Sequence, residues 1–366
     1  MYKQYLLKSL LLFTFIMFLI AGINFIVDPG KIYLKKIIAD LKSAEFSDKL
    51  FSSKNGIIQT GWNERLVKTT LAKKSGNFDC IILGSSHIMQ ISSIRNTGNI
   101  NKQCKKLLNL GVSGGSIEDI AIFSYLIMNN IKLPKQVFID IDPWTLKFGM
   151  DSRYGAYKSY YTKMNELLQN KDSNYESYLS KGIKNLFNGE YFYYSIKELM
   201  KKENKKKSMF DKQILYPINE FSYSSGYKEA VTLVDGSHIY KNSWILKQKN
   251  NISSIKIGGG GYKIKGSIYS KSTLDYFQKL VNLYKYNNIN VNLILTPYHP
   301  NVFKKGNTKP VKHFKEIEKV VNSFVKKNNL KVYGSFFPNK LGCKNHEFFD
   351  FMHSTNQCLN RIDFSE

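Results

Sequence analysis

IILGSSH, at residues 81–87, is an apolar run that stops at a glycine, two serines and a histidine. An uninterrupted apolar run of this length predicts a strand that is covered on both faces. Glycine and serine also build ordinary turns, so this stretch alone allows two interpretations. Either the strand simply enters a turn, or it delivers a serine nucleophile, and the rest of the sequence has to distinguish the two.

Runs of the same kind recur along the chain, and helical patterns separate them. Further strands are predicted at 107–110, 136–141 and 291–295, with a weaker one at 330–333. Apolar residues with a helical period are found at 117–130, 274–286 and 314–324. This alternation predicts an α/β domain with a parallel sheet and helices on both of its faces.

The segment at 145–270 does not fit the alternation. It is rich in Tyr, Lys and Gly, with a lysine run at 201–207 and a glycine run at 258–261. Because it is too long for a simple crossover, we expect a large insertion after the third strand that caps the carboxyl edge of the sheet. The glycine run lacks the Lys-Ser/Thr of a phosphate-binding loop, so we interpret it as a flexible loop.

The amino terminus carries an uncharged apolar stretch at 9–27. At ~1.5 Å per residue, such a stretch just crosses a hydrocarbon core of ~30 Å. No small-x-small cleavage site follows, so we interpret it as an uncleaved signal anchor, with a buried helix of a soluble protein as the alternative. We therefore expect an anchor at 1–28, a helical stem leading into the main domain at 29–76, and that domain at 77–366.

The orientation of the anchor depends on the lysines that flank it. Lys3 and Lys8 favour a cytoplasmic amino terminus, whereas Lys31, Lys35 and Lys36 compete with them. A single amino-terminal span followed by one long domain usually exports that domain. We expect a single-pass membrane protein whose main domain is extracytoplasmic.

The formal net charge is +26, and lysine supplies nearly all of the positive charge. The chain has only four arginines, which are scattered, whereas a nucleic-acid reader uses clustered arginines to bind phosphates and guanine edges. We therefore expect no nucleic-acid partner. The diffuse lysine excess reflects either a codon-composition bias or attraction to an anionic glycan or membrane surface.

Four cysteines are present, and none of them forms a pair with metal-site spacing. The sequence predicts neither a metal site nor a cofactor. Cys343 and Cys358 bracket a short segment and are the candidate pair for a disulfide in an oxidising compartment, and the sequence leaves open whether they form it. Cys80 lies inside an apolar strand and is predicted to be a buried thiol.

The residues at the strand ends have the chemistry of a nucleophilic site. Ser86 needs a base to remove its proton, and that base needs an acceptor on its other ring nitrogen. The D-x-x-H segment of Asp350 and His353 can supply both, because residues three apart lie on one side of a turn or helix start. The backbone N–H groups of Ser86 and Gly114 are candidate oxyanion donors. Each signal alone also fits a turn or a helix cap.

These blocks resemble those of the SGNH (GDSL-type) hydrolase superfamily, in particular its membrane-anchored members linked to surface-polymer acylation. Those members include the alginate O-acetylation proteins and the protein of lipoteichoic-acid D-alanylation. The matching blocks are Gly84-Ser85-Ser86-His87, Asn109 to Gly114, and Asp350 to His353. The resemblance frames residues 76–142 and 290–366 and implies a flavodoxin-like three-layer α/β/α fold. It implies that Ser86 is the nucleophile, His353 the base, Asp350 the residue that orients the base, and Gly114 the oxyanion glycine.

One block departs from the family pattern. Relatives carry a Gly-x-Asn-Asp segment whose Asn donates to the oxyanion, whereas this chain has Asp140-Ile141-Asp142-Pro143-Trp144. An ionised carboxylate cannot donate a hydrogen bond. The candidate substrate contacts are His87, Asn109, Asp142 and His299. His87 alternatively packs at the rim of the site, Asp142 holds the Pro-Trp turn, and His299 is a structural turn residue. Asp235 to His238 resembles a turn.

The resemblance implies a serine acyl esterase or O-acyltransferase that acts on an acylated surface carbohydrate polymer. One alternative is a non-catalytic glycan-binding or assembly partner of a membrane O-acyltransferase, which the departing block favours. A lipase-like enzyme that acts on the membrane is a further alternative. The residues leave open the acyl group, its donor, the polymer, and the choice between hydrolysis and transfer.

Overall fold

The structure of the protein is a computed structural model. It describes residues 2–28, 33–53, 56–58, 64–95, 100–169, 186–200, 214–215, 231–240, 245–246, 249, 267–304, 306 and 308–365. The lysine run at 201–207 lies outside the described residues, as does the glycine run at 258–261, which is predicted to be a flexible loop.

Nine strands are found in the described part of the chain. They are β1 (Gly56–Ile58), β2 (Cys80–Leu83), β3 (Leu107–Asn109), β4 (Gln136–Asp140), β5 (Ile214–Leu215), β6 (Val231–Leu233), β7 (His238–Ile239), β8 (Asn290–Leu295) and β9 (Lys331–Gly334).

Ten α-helices are found in the same part of the chain. They are α1 (Tyr2–Val27), α2 (Leu34–Ser52), α3 (Glu64–Ala72), α4 (Ile100–Gln103), α5 (Ile117–Met128), α6 (Lys158–Leu167), α7 (Gly189–Met200), α8 (Lys271–Tyr286), α9 (Lys309–Asn328) and α10 (Asn356–Leu359).

A five-stranded sheet in the order β3-β2-β4-β8-β9 is parallel throughout. Its central strands are buried apart from the first residue of β4 and of β8, as their apolar sequences predict. Ile81, Val137 and Ile294 have no exposed surface. Helix α8 packs against β8, and α9 packs against β9. The predicted α/β fold with a parallel sheet is confirmed. Because all five strands run the same way, the residues after β2, β3, β4 and β8 meet at one edge.

A second sheet is antiparallel, in the order β5-β1-β6-β7. The segment at 29–76, expected to hold a helical stem, contains α2 and α3 but also β1, which pairs with β6 through Ile57 and Thr232. The partners of β1 come from the segment predicted to be an insertion. Such pairing leaves no local periodicity in the sequence, since a three-residue strand is too short to show one.

The chain divides into two compact units, residues 1–45 with 172–211 and residues 46–171 with 212–366. In the first unit, α1 packs against α7, where Asn24 accepts a hydrogen bond from Ser195 Oγ (2.8 Å). Most of α1 is exposed, and its length and hydropathy suffice to cross a membrane. The second unit contains both sheets.

Two disulfides use all four cysteines of the chain. One joins Cys343 to Cys358, the candidate pair that the sequence left open. The prediction of a free, buried thiol at Cys80 is wrong, because Cys80 is bonded to Cys104. Cys80 is buried as expected, but the approach of Cys104, just before β3, depends on the pairing of β2 with β3, which the sequence does not show.

Candidate active site

Ser86 lies at the carboxyl edge of the parallel sheet, at the start of a short 3₁₀ turn that follows β2. Ser85 Oγ accepts a hydrogen bond from the backbone N–H of His87 (3.1 Å) and so caps this turn. Gly84 is required by its surroundings, because a Cβ at this position would overlap the Cβ of Asp140. The strand therefore ends in a tight turn that leaves the Ser86 side chain half-buried rather than enclosed.

A chain of two hydrogen bonds connects Ser86 to the carboxyl-terminal segment. Ser86 Oγ lies 2.8 Å from His353 Nε2, and His353 Nδ1 lies 2.7 Å from Asp350 Oδ2. Because a carboxylate accepts from Nδ1–H, the lone pair of Nε2 faces the serine. The structure thus brings together the three residues that the sequence predicts for one site. Their catalytic role stays a prediction.

Asp350 is held in place by its own turn. Its Oδ1 accepts the backbone N–H groups of Met352 (2.7 Å) and His353 (2.6 Å). Burial alone would raise the pKa of Asp350, but the neighbouring imidazole of His353 and these hydrogen bonds lower it below the ordinary value. The carboxyl group is therefore ionised at neutral pH and can orient the imidazole.

The segment around His353 is fixed from several sides. The Phe349 ring stacks on the imidazole of His353, with centroids 5.4 Å apart. Gln90, in the turn region after Ser86, donates to the carbonyl of Ser354 (2.8 Å). His299 donates its backbone N–H to the carbonyl of Phe351 (3.3 Å). These contacts hold the base opposite the serine without relying on the triad alone.

His299 packs inside this segment rather than facing a substrate. Its side chain is 2% exposed, and its ring meets the rings of Phe348 and Phe351 edge-on. Its Nδ1 accepts the backbone N–H of Asn301 (3.0 Å), and burial lowers the pKa of the imidazole. Of the two alternatives for His299, the structure favours the structural turn residue.

The loop after β3 lies directly against the nucleophile turn. Val112 N–H donates to the carbonyl of Gly84 (3.1 Å), and Gly115 N–H donates to the carbonyl of Val112 (2.9 Å). The second bond closes a β-turn whose third residue, Gly114, has φ 60°. Gly114 is half-buried, and its positive φ disfavours other residues.

Asn109 is buried and binds the backbone that follows Ser86. Its amide nitrogen donates to the carbonyls of Ile88 (2.7 Å) and Ile91 (2.9 Å), and its amide oxygen accepts from Gly111 N–H (2.9 Å). Its side chain has no exposed surface. The structure therefore gives Asn109 a bracing role, and the predicted substrate contact is not observed.

Two carboxyl groups, those of Asp140 and Asp142, are buried beneath the site. Burial, reinforced by the charge of Asp142, raises the pKa of Asp140 well above its ordinary value. Asp140 Oδ2 accepts the backbone N–H of Ser85 (3.3 Å). We interpret Asp140 as a neutral acid, since two buried carboxylates in contact cannot both carry charge at low cost.

His87 is packed between this carboxyl pair and the triad. Its Nδ1 lies 2.7 Å from Asp142 Oδ1, and its ring meets that of His353 edge-on, with centroids 4.8 Å apart. Only 1% of either the His87 or the Asp142 side chain is exposed, so neither offers a surface to a sugar hydroxyl here. The backbone of Asp142 also holds the Pro-Trp turn, because its carbonyl accepts from Thr145 N–H (3.0 Å). The packing interpretation is favoured for both residues.

Sequence reasoning missed a strap formed by β6, β7 and the turn between them. Asp235 accepts hydrogen bonds from Ser92 Oγ (2.6 Å) and Ser93 N–H (2.9 Å), just after the nucleophile turn. Lys68 is 1% exposed and donates to the carbonyls of Asn109 (2.8 Å) and Gly236 (2.5 Å). The available signal was Lys68, a lysine that lies within the amphipathic pattern of α3 at a position where burial is expected.

The arrangement has the geometry that acyl transfer through a serine requires. It holds a candidate nucleophile, a candidate base, an ionised carboxylate beside that base, and a glycine turn. No group of side chains that could hold a metal ion is found among the described residues. No protein-family model matches the sequence, and no curated protein matches it significantly.

Proposed function

We propose that this protein is a membrane-anchored, extracytoplasmic serine acyl esterase or O-acyltransferase of the SGNH type that acts on a surface carbohydrate polymer. One observation carries the proposal: the unbroken hydrogen-bond chain from Ser86 through His353 to Asp350, with distances of 2.8 and 2.7 Å. Both distances are short enough for a base to take a proton from the serine and for a carboxylate to orient that base.

The first half-reaction forms an acyl-serine. Ser86 Oγ attacks the carbonyl carbon of the acyl donor while His353 Nε2 takes the hydroxyl proton, and Asp350 stabilises the resulting imidazolium. The backbone N–H groups of Ser86 and Gly114 stabilise the oxyanion. When the tetrahedral intermediate collapses, the bond to the leaving group breaks, and His353 returns the proton to that group.

The second half-reaction transfers the acyl group. His353 takes a proton from water or from a sugar hydroxyl, whose oxygen attacks the acyl-serine carbonyl. The bond to Ser86 Oγ then breaks, and the serine recovers its proton from His353. Water as acceptor gives an esterase, and a sugar hydroxyl gives an O-acyltransferase. Neither route needs a metal or a cofactor.

A flavodoxin-like three-layer α/β/α arrangement is part of the proposal. It is supported by the strand order β3-β2-β4-β8-β9, in which β2, the first strand of this sheet along the chain, lies between β3 and β4. It is also supported by the position of Ser86 directly after β2. Open parallel sheets of this kind form their sites beyond the carboxyl ends of the strands. The polymer substrate itself rests on the resemblance of the sequence blocks.

The proposed location rests on three features. Helix α1 suits a membrane anchor, the two disulfides suit an oxidising compartment, and the net charge of +26 suits an anionic polymer or membrane surface. Protease added to intact spheroplasts should digest the main domain, whereas protection there and digestion in everted vesicles would reverse the orientation.

A serine-reactive fluorophosphonate probe tests the chemistry. With full-length protein in detergent, we expect labelling of the wild type, none of Ser86→Ala, and labelling of His353→Ala slowed at least about a hundredfold. Ser323→Ala is the matched control, because Ser323 is an exposed serine on α9. An unlabelled wild type, or equal labelling of all four proteins, would exclude the enzyme.

A second candidate is a non-catalytic glycan-binding or assembly partner of a membrane O-acyltransferase. It is favoured by the carboxyl edge of β4, where Asp140 and Asp142 stand instead of an amide donor. Loss of one oxyanion donor lowers the rate by roughly 10²–10³-fold in serine hydrolases. Glycan binding and co-purification with an acyltransferase, both unaffected by Ser86→Ala, would support this candidate over the enzyme.

A further inference from the structure

Two of the four arginines in the chain converge on one carbonyl group. Arg153 Nη2 lies 2.6 Å and Arg65 Nη2 lies 3.3 Å from the carbonyl oxygen of Ser113. The neighbouring N–H of Ser113 donates to Glu64 Oε2 (3.0 Å). The backbone of a single loop residue is therefore bound on both sides by charged side chains.

These side chains are themselves held by carboxylates. Arg65 makes a bidentate pair with Asp119 at 2.7 and 2.9 Å, and 5% of its side chain is exposed. Arg153 binds Asp151 at 2.6 Å. Burial alone would raise the pKa of Asp151, but the hydrogen bonds and charge of Arg153 and the charge of Arg65 hold it well below the ordinary value. Both guanidinium groups are thus fixed before any substrate binds.

The carbonyl of Ser113 belongs to the same peptide unit as the N–H of Gly114. In a trans peptide the two groups point in opposite directions, so the N–H of Gly114 points away from the arginines. The loop lies against Gly84 and the turn that carries Ser86. This N–H is the donor assigned to the oxyanion in the proposed reaction.

The same peptide unit is the central one of the β-turn from Val112 to Gly115. The hydrogen bond of the turn does not involve this peptide unit. Type I and type II turns differ by a rotation of this unit by roughly 180°. Such a rotation would exchange the N–H of Gly114 for the carbonyl of Ser113. A carbonyl oxygen beside the oxyanion would repel the charge that the N–H stabilises.

We propose that Arg65 and Arg153 are positioning residues for the oxyanion site: they hold the Ser113–Gly114 peptide so that its N–H, and not its carbonyl, faces the reacting group. The inference rests on the proposed function. Two cationic donors on the carbonyl also polarise the peptide and strengthen its N–H as a donor. The arrangement compensates in part for the missing amide donor after β4.

Arg153 is the residue to change, because 53% of its side chain is exposed and its buried partner Asp151 keeps Arg65 Nη2 3.8 Å from its Oδ1. We expect Arg153→Gln to lower kcat for p-nitrophenyl acetate by about 10- to 100-fold with little change in KM, since the donor acts in the transition state. Arg153→Lys, which keeps a cationic donor, should recover part of the loss. The shape of the pH–rate profile should not change, because the arginine does not titrate with the triad.

A double-mutant cycle separates positioning from a general structural role. Gly114→Ala disturbs the donor itself through its positive φ. If Arg153 acts through this peptide, Arg153→Gln should cost little further rate in the Gly114→Ala background. Losses that multiply, or a fall in kcat that matches a fall in the folded fraction, would overturn the positioning role. Lys74→Gln, which removes a surface ion pair with Asp48 ahead of β2, is the control.

All measurements use the full-length protein in detergent. Wild-type turnover that does not require Ser86 would overturn the proposed function and this inference with it. Turnover that requires Ser86 but is unchanged in Arg153→Gln would overturn the inference alone. Turnover that requires Ser86 and falls in Arg153→Gln with partial recovery in Arg153→Lys supports both.

Discussion

Cys343 and Cys358 are joined by a disulfide that closes a loop containing both Asp350 and His353. The other disulfide, between Cys80 and Cys104, closes a loop that contains Ser86. One covalent link therefore encloses Ser86, and the other encloses Asp350 and His353. The hydrogen bond between Ser86 and His353 joins the two closed loops.

Removal of the Cys343–Cys358 bond should destabilise the protein. The bond spans 15 residues, for which the loss of chain entropy in the unfolded state corresponds to ~3 kcal/mol. We expect Cys343→Ala/Cys358→Ala to unfold at a lower temperature and to lose fluorophosphonate labelling of Ser86 in parallel. Thermal unfolding in detergent checks the first effect. An unchanged unfolding temperature would show that the bond has no such role.

Asp350→Asn should lower activity without unfolding the protein. The amide carries no negative charge, and its NH₂ can donate to His353 Nδ1, so the imidazole loses its preferred tautomer and the stabilisation of its charged form. We expect turnover of p-nitrophenyl acetate to fall by roughly 10³–10⁴-fold. Steady-state kinetics and the unfolding temperature are measured together. Turnover within a few-fold of the wild type would remove Asp350 from the proposed triad.

Asp140→Asn should be tolerated, because an amide reproduces the neutral acid that we assign to Asp140. Its oxygen can accept from Ser85 N–H, and its NH₂ can donate to Asp142. The pKa of Asp140 is raised in the folded state, so ionisation costs stability as pH rises above the unfolded value of about 3.9. The variant should therefore gain stability over the wild type as pH rises from 4 to 7.

Asp142→Ala is the contrasting variant, since it leaves His87 Nδ1 without the carboxylate 2.7 Å away. We expect it to lose both stability and turnover. Denaturant unfolding of the three proteins at pH 4 and pH 7 distinguishes the cases. A stability loss at pH 7 in Asp140→Asn as large as that in Asp142→Ala would contradict a neutral Asp140.

Because Lys68 is buried, we expect the free energy of unfolding to increase as pH rises from 8 to 10. Burial lowers the pKa of Lys68 from 10.5 to about 8 in the folded state. Between these values the unfolded chain binds more protons than the folded one, so stability rises with pH. From pH 8 to pH 10 the gain is about 2 kcal/mol. Lys68→Met lacks this titration, and its unfolding curves over the same range should not show the gain.

A control for this experiment is Lys74→Met, whose lysine side chain is 35% exposed and paired with Asp48. It should follow the wild type between pH 8 and pH 10. An equal pH dependence in Lys68→Met and the wild type would mean that Lys68 remains charged, despite its burial against two carbonyls.

Much of the fold could be predicted from local sequence. The strands at 107–110 and 291–295 coincide with β3 and β8 to within a residue, because strands covered on both faces need continuous apolar runs. The helix at 274–286 coincides with most of α8, since one apolar stripe at helical spacing faces β8. The antiparallel sheet could not be predicted, because its short strands carry no period.

The site could be predicted in part for a different reason. Ser86, Asp350 and His353 stand out because their residue types and spacing have a known chemical use. Asn109 and His299 were also candidates because of their polar side chains near strand ends, yet the structure uses them as buried braces. Residue type therefore selects candidates for a site but does not say which way a side chain points.

By itself, the sequence determined the apolar strands of a parallel sheet, the amino-terminal apolar helix, and the serine, aspartate and histidine of the candidate triad. Only the tertiary structure decided that Cys80 pairs with Cys104, that β1 pairs with β6, and that Arg65 and Arg153 meet at Ser113. The physical reason is the distance along the chain over which each kind of signal acts. Periodicity and turn chemistry act between near neighbours, whereas these contacts join segments whose approach depends on how the whole sheet is assembled.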